Sequence, residues 1–281
     1  MRIAVITIVA GRHAHLHHQQ VGLARSALSP DVYVVVSMGD PAAIQQTRSG
    51  PLADGGCEVR TRLIECDEHL PLAAARNLGA AEALRAGADQ LIFLDVDCIP
   101  SAALIDSYRR SLAASTTPAL HCGVVRYLDP DARVADLDTL QGDPHPARPN
   151  PAPGELMPSS SWSLFWSLSF ALSAAAWRQL GGFHEEYVGY GAEDTDFGYA
   201  AHRAGVDLVW VGGAEAFHQY HPTQRLPVDH LEDILRNAAI FERRWGFWPM
   251  TGWLRGFEDA GLARYDVAAN RWTPTTSAPA P

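Results

Sequence analysis

Two carboxylates close the apolar run Leu91-Ile92-Phe93-Leu94-Asp95-Val96-Asp97-Cys98-Ile99-Pro100. A strand still extended at that point aims Asp95 and Asp97 the same way, because their spacing is i, i+2. Like charges so placed repel, and one carboxyl is pushed toward protonation unless a cation sits between or beside them. A divalent metal meets that need. Hard oxygen ligands suit magnesium or manganese, and magnesium is commonly held by a carboxylate or two with phosphate oxygens completing its shell. The stretch therefore reads as a metal-diphosphate site. A strand exit whose aspartates merely cap a turn is the structural alternative.

A second acidic run is Gly189-Tyr190-Gly191-Ala192-Glu193-Asp194-Thr195-Asp196-Phe197. Its glycines let backbone approach a ligand closely, and acids at the start of a helix suit the macrodipole. Capping accounts for one or two of these acids but not all of them. Farther on, Phe217-His218-Gln219-Tyr220-His221-Pro222 offers two imidazoles whose spacing alone says little. The early cluster His13, His15, His17 and His18 has no carboxylate or cysteine with it, so it reads as polar positions of a helix rather than a metal site.

The elements that must position these groups alternate along the chain. Ile3 to Val9 is a β-branched run expected as a buried parallel strand, with Thr7 near its carboxyl end. A helix to about Leu28 follows, then a strand Asp31 to Ser37 whose exit turn carries Asp40. A weaker strand, Glu58 to Glu65, precedes the alanine-rich helix Leu72 to Leu84, which leads into the Asp-x-Asp strand. This order is that of a parallel sheet wound with helices. Beyond Pro100 the expectation is a helix 102–114, a strand His121 to Tyr127, and a strand Ser167 to Ser173. A short helix Ala174 to Leu180 then gives way to the acidic helix, a strand Val206 to Val211, and a long amphipathic helix opened by Asp229 and Glu232. Residues 141–161, dense in Pro, Gly, Ser and Asn, are expected as a mobile loop, and residues 270–281 as a disordered tail.

A chain of 281 residues with 47% hydrophobic content can bury a sizeable core. The formal net charge of -10 excludes a general nucleic-acid binder, so anionic ligands need local cations. Cys57, Cys66, Cys98 and Cys122 form no CxxC pair and read as reduced. With no secretory signal pattern and no apolar stretch long enough for a span, the expected location is cytoplasmic.

Together these pieces resemble nucleotide-sugar glycosyltransferases of the GT-A fold, of the family-2 type with the carboxyl-terminal signature of β-1,4-galactosyltransferases. The resemblance rests on Ala75-Arg76-Asn77-Leu78-Gly79, Asp95-Val96-Asp97, Gly181-Gly182-Phe183 with Gly189 to Asp196, and His218, and it spans about residues 3–222. It implies a Rossmann-like, mostly parallel sheet in a single large domain over 1–269. A nucleotide-binding half covers about 1–127 and an acceptor-side half about 128–269. It also implies a nucleotide-sugar donor, UDP-linked, a Mn2+ or Mg2+ cofactor, and transfer to the hydroxyl of a glycan, lipid or small-molecule acceptor with inversion. No nucleic acid or integral membrane segment is expected, while peripheral membrane contact stays open.

By the same resemblance Thr7, Asp40, Arg76 and Asn77 hold the nucleotide, and Asp97 binds the metal with Asp95 as ribose or second partner. His218 supplies the far ligand, with His221 its rival. Asp194 matches the general base and Glu193 the holder of acceptor hydroxyls, while Trp166 and Tyr190, and also Trp162, are candidates to stack on a sugar. The absence of a stem or secretory signal departs from the animal galactosyltransferases and points to a bacterial-type enzyme. A retaining transferase on this fold and a sugar-nucleotide-binding module without turnover are the alternatives.

Overall fold

The computed structural model describes residues 1–134, 136–222 and 224–275. The first half winds as β1 (Ile3–Val9), α1 (His13–Ala24), β2 (Val32–Met38), α2 (Pro41–Arg48), β3 (Glu58–Ile64), α3 (Leu72–Arg85) and β4 (Gln90–Leu94). There follow β5 (Cys98–Pro100), α4 (Leu104–Ala114), β6 (Ala119–Tyr127), β7 (Asp143–Pro144), β8 (Leu156–Ser159) and β9 (Ser169–Ser173). The chain closes with α5 (Ala174–Leu180), α6 (Glu193–Arg203), β10 (Asp207–His218), α7 (Leu231–Trp245), α8 (Thr251–Asp259), β11 (Ala263–Asp266) and β12 (Arg271–Pro274).

One sheet takes strands from both halves, in the order β3-β2-β1-β4-β9-β6-β10-β5. β3, β2, β1 and β4 are parallel neighbours, β9 lies antiparallel to both β4 and β6, and β6 runs parallel to β10. The long strands other than β9 therefore share one direction. Their carboxyl ends gather on one edge, where the acidic strand tip sits.

Both sheet faces are covered, which is why β1, β2 and β4 read as unbroken apolar runs instead of alternating ones. Ala4, Ile6 and Ile8 face a cluster containing the alanines of α3 with Trp177 and Phe197. Ile3, Val5 and Val9 face Leu16 and Leu23 of α1 and Leu104 and Tyr108 of α4. A satellite core, Ile234, Ala238, Leu254 and Phe257, joins α7 to α8 and the β11–β12 hairpin.

Some expectations change. Residues 141–161 are not structureless: β7 pairs with β6 and β8 with β10. Their prolines sit in short outer strands, where a missing N–H costs the ladder little. The tail expected from Asn270 begins instead with β12, while 276–281 lie outside the described residues. Asp229 does not cap α7. It accepts from Gln224, and a 3-10 turn over Val228–His230 leads into the helix. Among the described residues no helix is long and apolar enough to cross a membrane.

Candidate functional site

The turn after β4 is braced from beneath by Gln19 of α1, a fully buried side chain that composition and periodicity do not single out. Its Nε2 donates to the carbonyls of Asp95 (2.7 Å) and Cys98 (3.2 Å), and its Oε1 accepts from Tyr33 and Thr7 (2.9 Å each). Gln219 closes the other side: its N–H donates to Asp97 O at 2.7 Å and its Nε2 to His15 O. The backbone carrying both aspartates is thus fixed by amide groups before any ligand arrives.

On that base the two carboxylates diverge. Asp95 turns to Arg76, 3.2 Å away, whereas Asp97 Oδ2 faces Arg12 (3.3 Å), His218 (3.5 Å) and His221 (3.6 Å). Burial raises the Asp95 carboxyl to about 6, with Arg76 opposing and the Asp97 charge adding to the rise. Burial pushes Asp97 the same way, but the His221 contact, His218 when protonated, and Arg12 overcome it and hold the group at about 2. The pair splits because Asp97 has several cationic partners, whereas Asp95 has Arg76 alone and shares it with Glu193.

Asp97, His218 and His221 bring one ligand atom each to within 4.8 Å of one another. Burial lowers the His218 imidazole despite Asp97, which favours the neutral ring with its lone pair free. One ionised carboxylate with neutral imidazole is a donor set that fits a divalent cation. Both histidines converge here, so neither displaces the other. Asp95, spent on Arg76, stands outside the cluster.

The acidic turn reaches the same cleft through Arg76. This side chain is 4% exposed, yet it pairs with Glu193 at 3.1 Å as well as with Asp95, and its guanidinium lies over Phe183. Burial and the Glu193 charge lift Asp194 to about 7, against the pull of Arg76 and the Thr195 hydrogen bonds. α7 pins the preceding loop: Asp233 accepts the Tyr190 N–H, and Asn237 Nδ2 donates to the carbonyls of Val188, Tyr190 and Gly191. Gly189, at φ 72°, could carry no side chain, since a Cβ would stand 2.0 Å from Asp233. Tyr190 is 40% exposed, stacks on His230, and feels Asp194, Glu193 and Asp97, so its ring borders the cleft.

Several expected residues do other work. Thr7 is buried, with its hydroxyl directed at Gln19 and Leu94 O. Asn77 clamps the turn before the acidic run, exchanging hydrogen bonds with Phe183 and donating to Glu185. Asp40 caps α2 through Ala42 and Ala43 and accepts from Gly11 and His13; burial pushes its carboxyl up, but these hydrogen bonds hold it below the ordinary range. Arg76 is enclosed by carboxylates, and the cation that faces Asp97 is Arg12. Arg12 holds left-handed backbone at φ 50°, at the exit of β1, the position in an open α/β sheet where ligands bind. Trp162 packs in the core against His202, and Trp166 lies against His145. A cavity of about 470 Å³ beside His17 and Gln46 contains none of these groups.

The sheet order, with an acidic strand tip and an acidic helix start meeting at one edge, defines an α/β class of the GT-A type. A family model described as the N-terminal domain of galactosyltransferase matches residues 154–222, which include the acidic turn and both histidines. Validoxylamine A glucosyltransferase of Streptomyces hygroscopicus subsp. limoneus is 24% identical over 264 residues, covering 86% of this chain and 56% of its own length. Chondroitin synthase of Escherichia coli is 28% identical over 184 residues, 56% of this chain and 26% of that one. The chain thus spans about half the length, or less, of these curated relatives.

Among solved structures, S. aureus TarS in complex with UDP-GlcNAc matches with a TM-score of 0.59 at 12% identity, over 92% of this chain and 80% of that one. GalNAc-T7 with UDP, GalNAc and Mn2+ matches with a TM-score of 0.56 at 13% identity, over 92% and 54%. The fold is that of GT-A nucleotide-sugar glycosyltransferases, in agreement with the resemblance read from the motifs.

Proposed function

We propose that this chain transfers a sugar from a UDP-sugar to an acceptor hydroxyl, with a divalent cation as cofactor and inversion at the anomeric carbon. The observation that carries the reading is the Arg76 bridge, which holds the strand tip and the acidic turn on one cleft. Asp97, His218 and His221 are the residues to hold the cation, and the imidazoles favour Mn2+ over Mg2+. When bound, that ion would offset charge developing on the departing diphosphate. The neighbours bearing UDP-GlcNAc, or UDP with Mn2+, support the donor and metal classes.

In this reading Arg12 adds a cation at the diphosphate, a role the enclosed Arg76 leaves open. Asp194 takes the acceptor proton: a carboxyl held near 7 is half ionised at neutral pH, so it can accept a proton from the hydroxyl and pass it on. Glu193 keeps one oxygen on Arg76 and turns the other to acceptor hydroxyls. Tyr190 gives the acceptor ring an aromatic face, and attack from that side, opposite the leaving diphosphate, inverts the centre. Asp40, at the exit of β2, keeps a place beside the base and ribose.

The test is thermal stability with UDP, with and without manganese, together with UDP release from a panel of UDP-sugars. Metal-dependent stabilisation that vanishes in Asp97→Ala is the expected result. Equal stabilisation of the variant sinks the ligand assignment.

A further inference from the structure

Arg148 is a buried cation with no anion beside it among the described side chains. It sits in the strap between β7 and β8, 8% exposed, its guanidinium carbon 5.1 Å from the Trp166 ring centre and 4.6 Å from that of Trp210. Among the described residues no carboxylate reaches it, and Nε and Nη2 are buried without an acceptor. The indole N–H of Trp210, itself fully buried, has none either.

Arg148 and Trp210 line one small void, together with Gly123, Pro144, His145 and Pro149. His145 Nδ1 accepts the Ala147 N–H, so the neutral ring carries its proton on Nε2. The void is therefore bordered by several donors and by no acidic side chain. Aromatic faces return only part of what desolvating a guanidinium costs, and unpaired donors add to that cost. No water-sized sphere fits the void as it stands, so solvent does not complete these donors. Around Arg148 the strap has little backbone bonding to lose on lifting, since Pro144, Pro146, Pro149, Pro151 and Pro153 have no N–H and Arg148 N donates only locally, to His145 O; its far end stays tied to β10, Gly154 N–H donating to Gly212 O and Gly212 N–H to Glu155 O.

We propose that this void is the closed form of an oxyanion site, which takes a phosphate- or sulfate-type group when the strap lifts, through Arg148 Nε and Nη2 and Trp210 Nε1. The Nε–Nη2 edge presents parallel donors matched to two oxygens of such a group. In a chain of net charge -10 this is a built local cation. The site shares no residue with the Asp97, His218 and His221 cluster, and its occupancy is read without turnover, so it can stand or fall apart from the proposed transfer.

Tryptophan fluorescence and melting temperature are to be followed during titration with inorganic phosphate and sulfate, using chloride at matched ionic strength as control. A saturable response to the oxyanions alone is expected, with Trp166 and Trp210 as reporters. Arg148→Lys keeps the charge but not the fork and should weaken binding about tenfold or more. Arg148→Met should fold at least as stably without anion, since it removes an unpaired buried charge, and should give no response. The phosphate response should persist in saturating UDP with manganese. A hexose phosphate that displaces phosphate at lower concentration assigns the site to a group carried on a larger ligand; equal displacement assigns it to the free ion. No saturable response in the wild type, an unchanged response in Arg148→Lys or Arg148→Met, or its loss on adding UDP overturns the proposal.

Discussion

Arg76 and Glu193 meet at 3.1 Å although 117 positions separate them, and the same guanidinium reaches Asp95 at 3.2 Å. A residue of α3 thereby ties the tip of β4 to the start of α6. Losing one partner of such a buried arrangement leaves charges uncompensated and typically costs about 3–5 kcal/mol. Arg76→Ala is expected to lose stability on that scale in urea unfolding, and to free Asp95 and Glu193 to move apart. Arg76→Lys should recover only part of it, because an ammonium cannot serve both carboxylates as a fork. An Arg76→Ala protein with an unchanged urea midpoint would remove the bridge from the account.

Asp194 links activity and stability with opposite signs. Its carboxyl is raised to about 7, so the ionised base accumulates as pH rises through that value and turnover should rise with it. Asp194→Asn should lose about 10²- to 10⁴-fold in kcat and keep UDP affinity. Folding favours the protonated form, so the stability contributed by that form is lost as pH climbs from the ordinary carboxylate range toward 7. The amide variant should therefore match the wild type near pH 4 and exceed it above about 7 in melting temperature. A variant less stable at every pH would contradict the assignment.

Manganese affinity isolates the metal residues from catalysis. Asp97→Ala, His218→Ala and His221→Ala should each weaken Mn2+ binding, measured by calorimetry, by more than the about 10- to 100-fold typical for loss of a residue that only orients a ligand. Asp95→Asn should change it less, because Asp95 faces Arg76. Chelation should abolish UDP-dependent stabilisation in the wild type. If His221→Ala binds Mn2+ as the wild type does, His218 is the sole imidazole ligand.

Asn237 supports the acidic turn from α7, fully buried, with its amide donating to Val188, Tyr190 and Gly191 carbonyls. Asn237→Leu strands those acceptors, at about 1–3 kcal/mol for buried groups left unpaired. The expected signature is a lower melting temperature with kcat reduced and Mn2+ affinity kept. Reduced Mn2+ affinity instead would mean that α7 also supports the strand tip.

The wound sheet is legible because β1, β2 and β4 are apolar enough to announce burial on both faces. α2 was missed. Its start signal, Asp40 followed by Pro41, looks in the sequence like a turn alone. β5 spans only Cys98–Pro100, too short to show a period, yet it pairs with the end of β10 and brings Cys98 opposite His218. Thr7 and Asn77 were expected at a ligand because family position names a residue but not which way its hydrogen bonds point. Gln19 gave no signal at all: a lone glutamine in a helix looks like surface until the fold buries it under the aspartates.

β10 departs from regular pairing with β6 between Val211 and Glu215, whose partners Gly123 and Val124 are adjacent. Trp210 lies with the core on one side of the sheet, while Ala214 and Ala216 lie with the core on the other. Gly212 holds the detour against the strap, where a Cβ would stand 1.8 Å from Ala152 O. Strand residues alternate sides, so the detour acts as a parity switch, and His218 inherits its facing from how many residues it contains. Removing a single glycine there would leave Asp97, His218 and His221 in the chain and turn His218 to the wrong side.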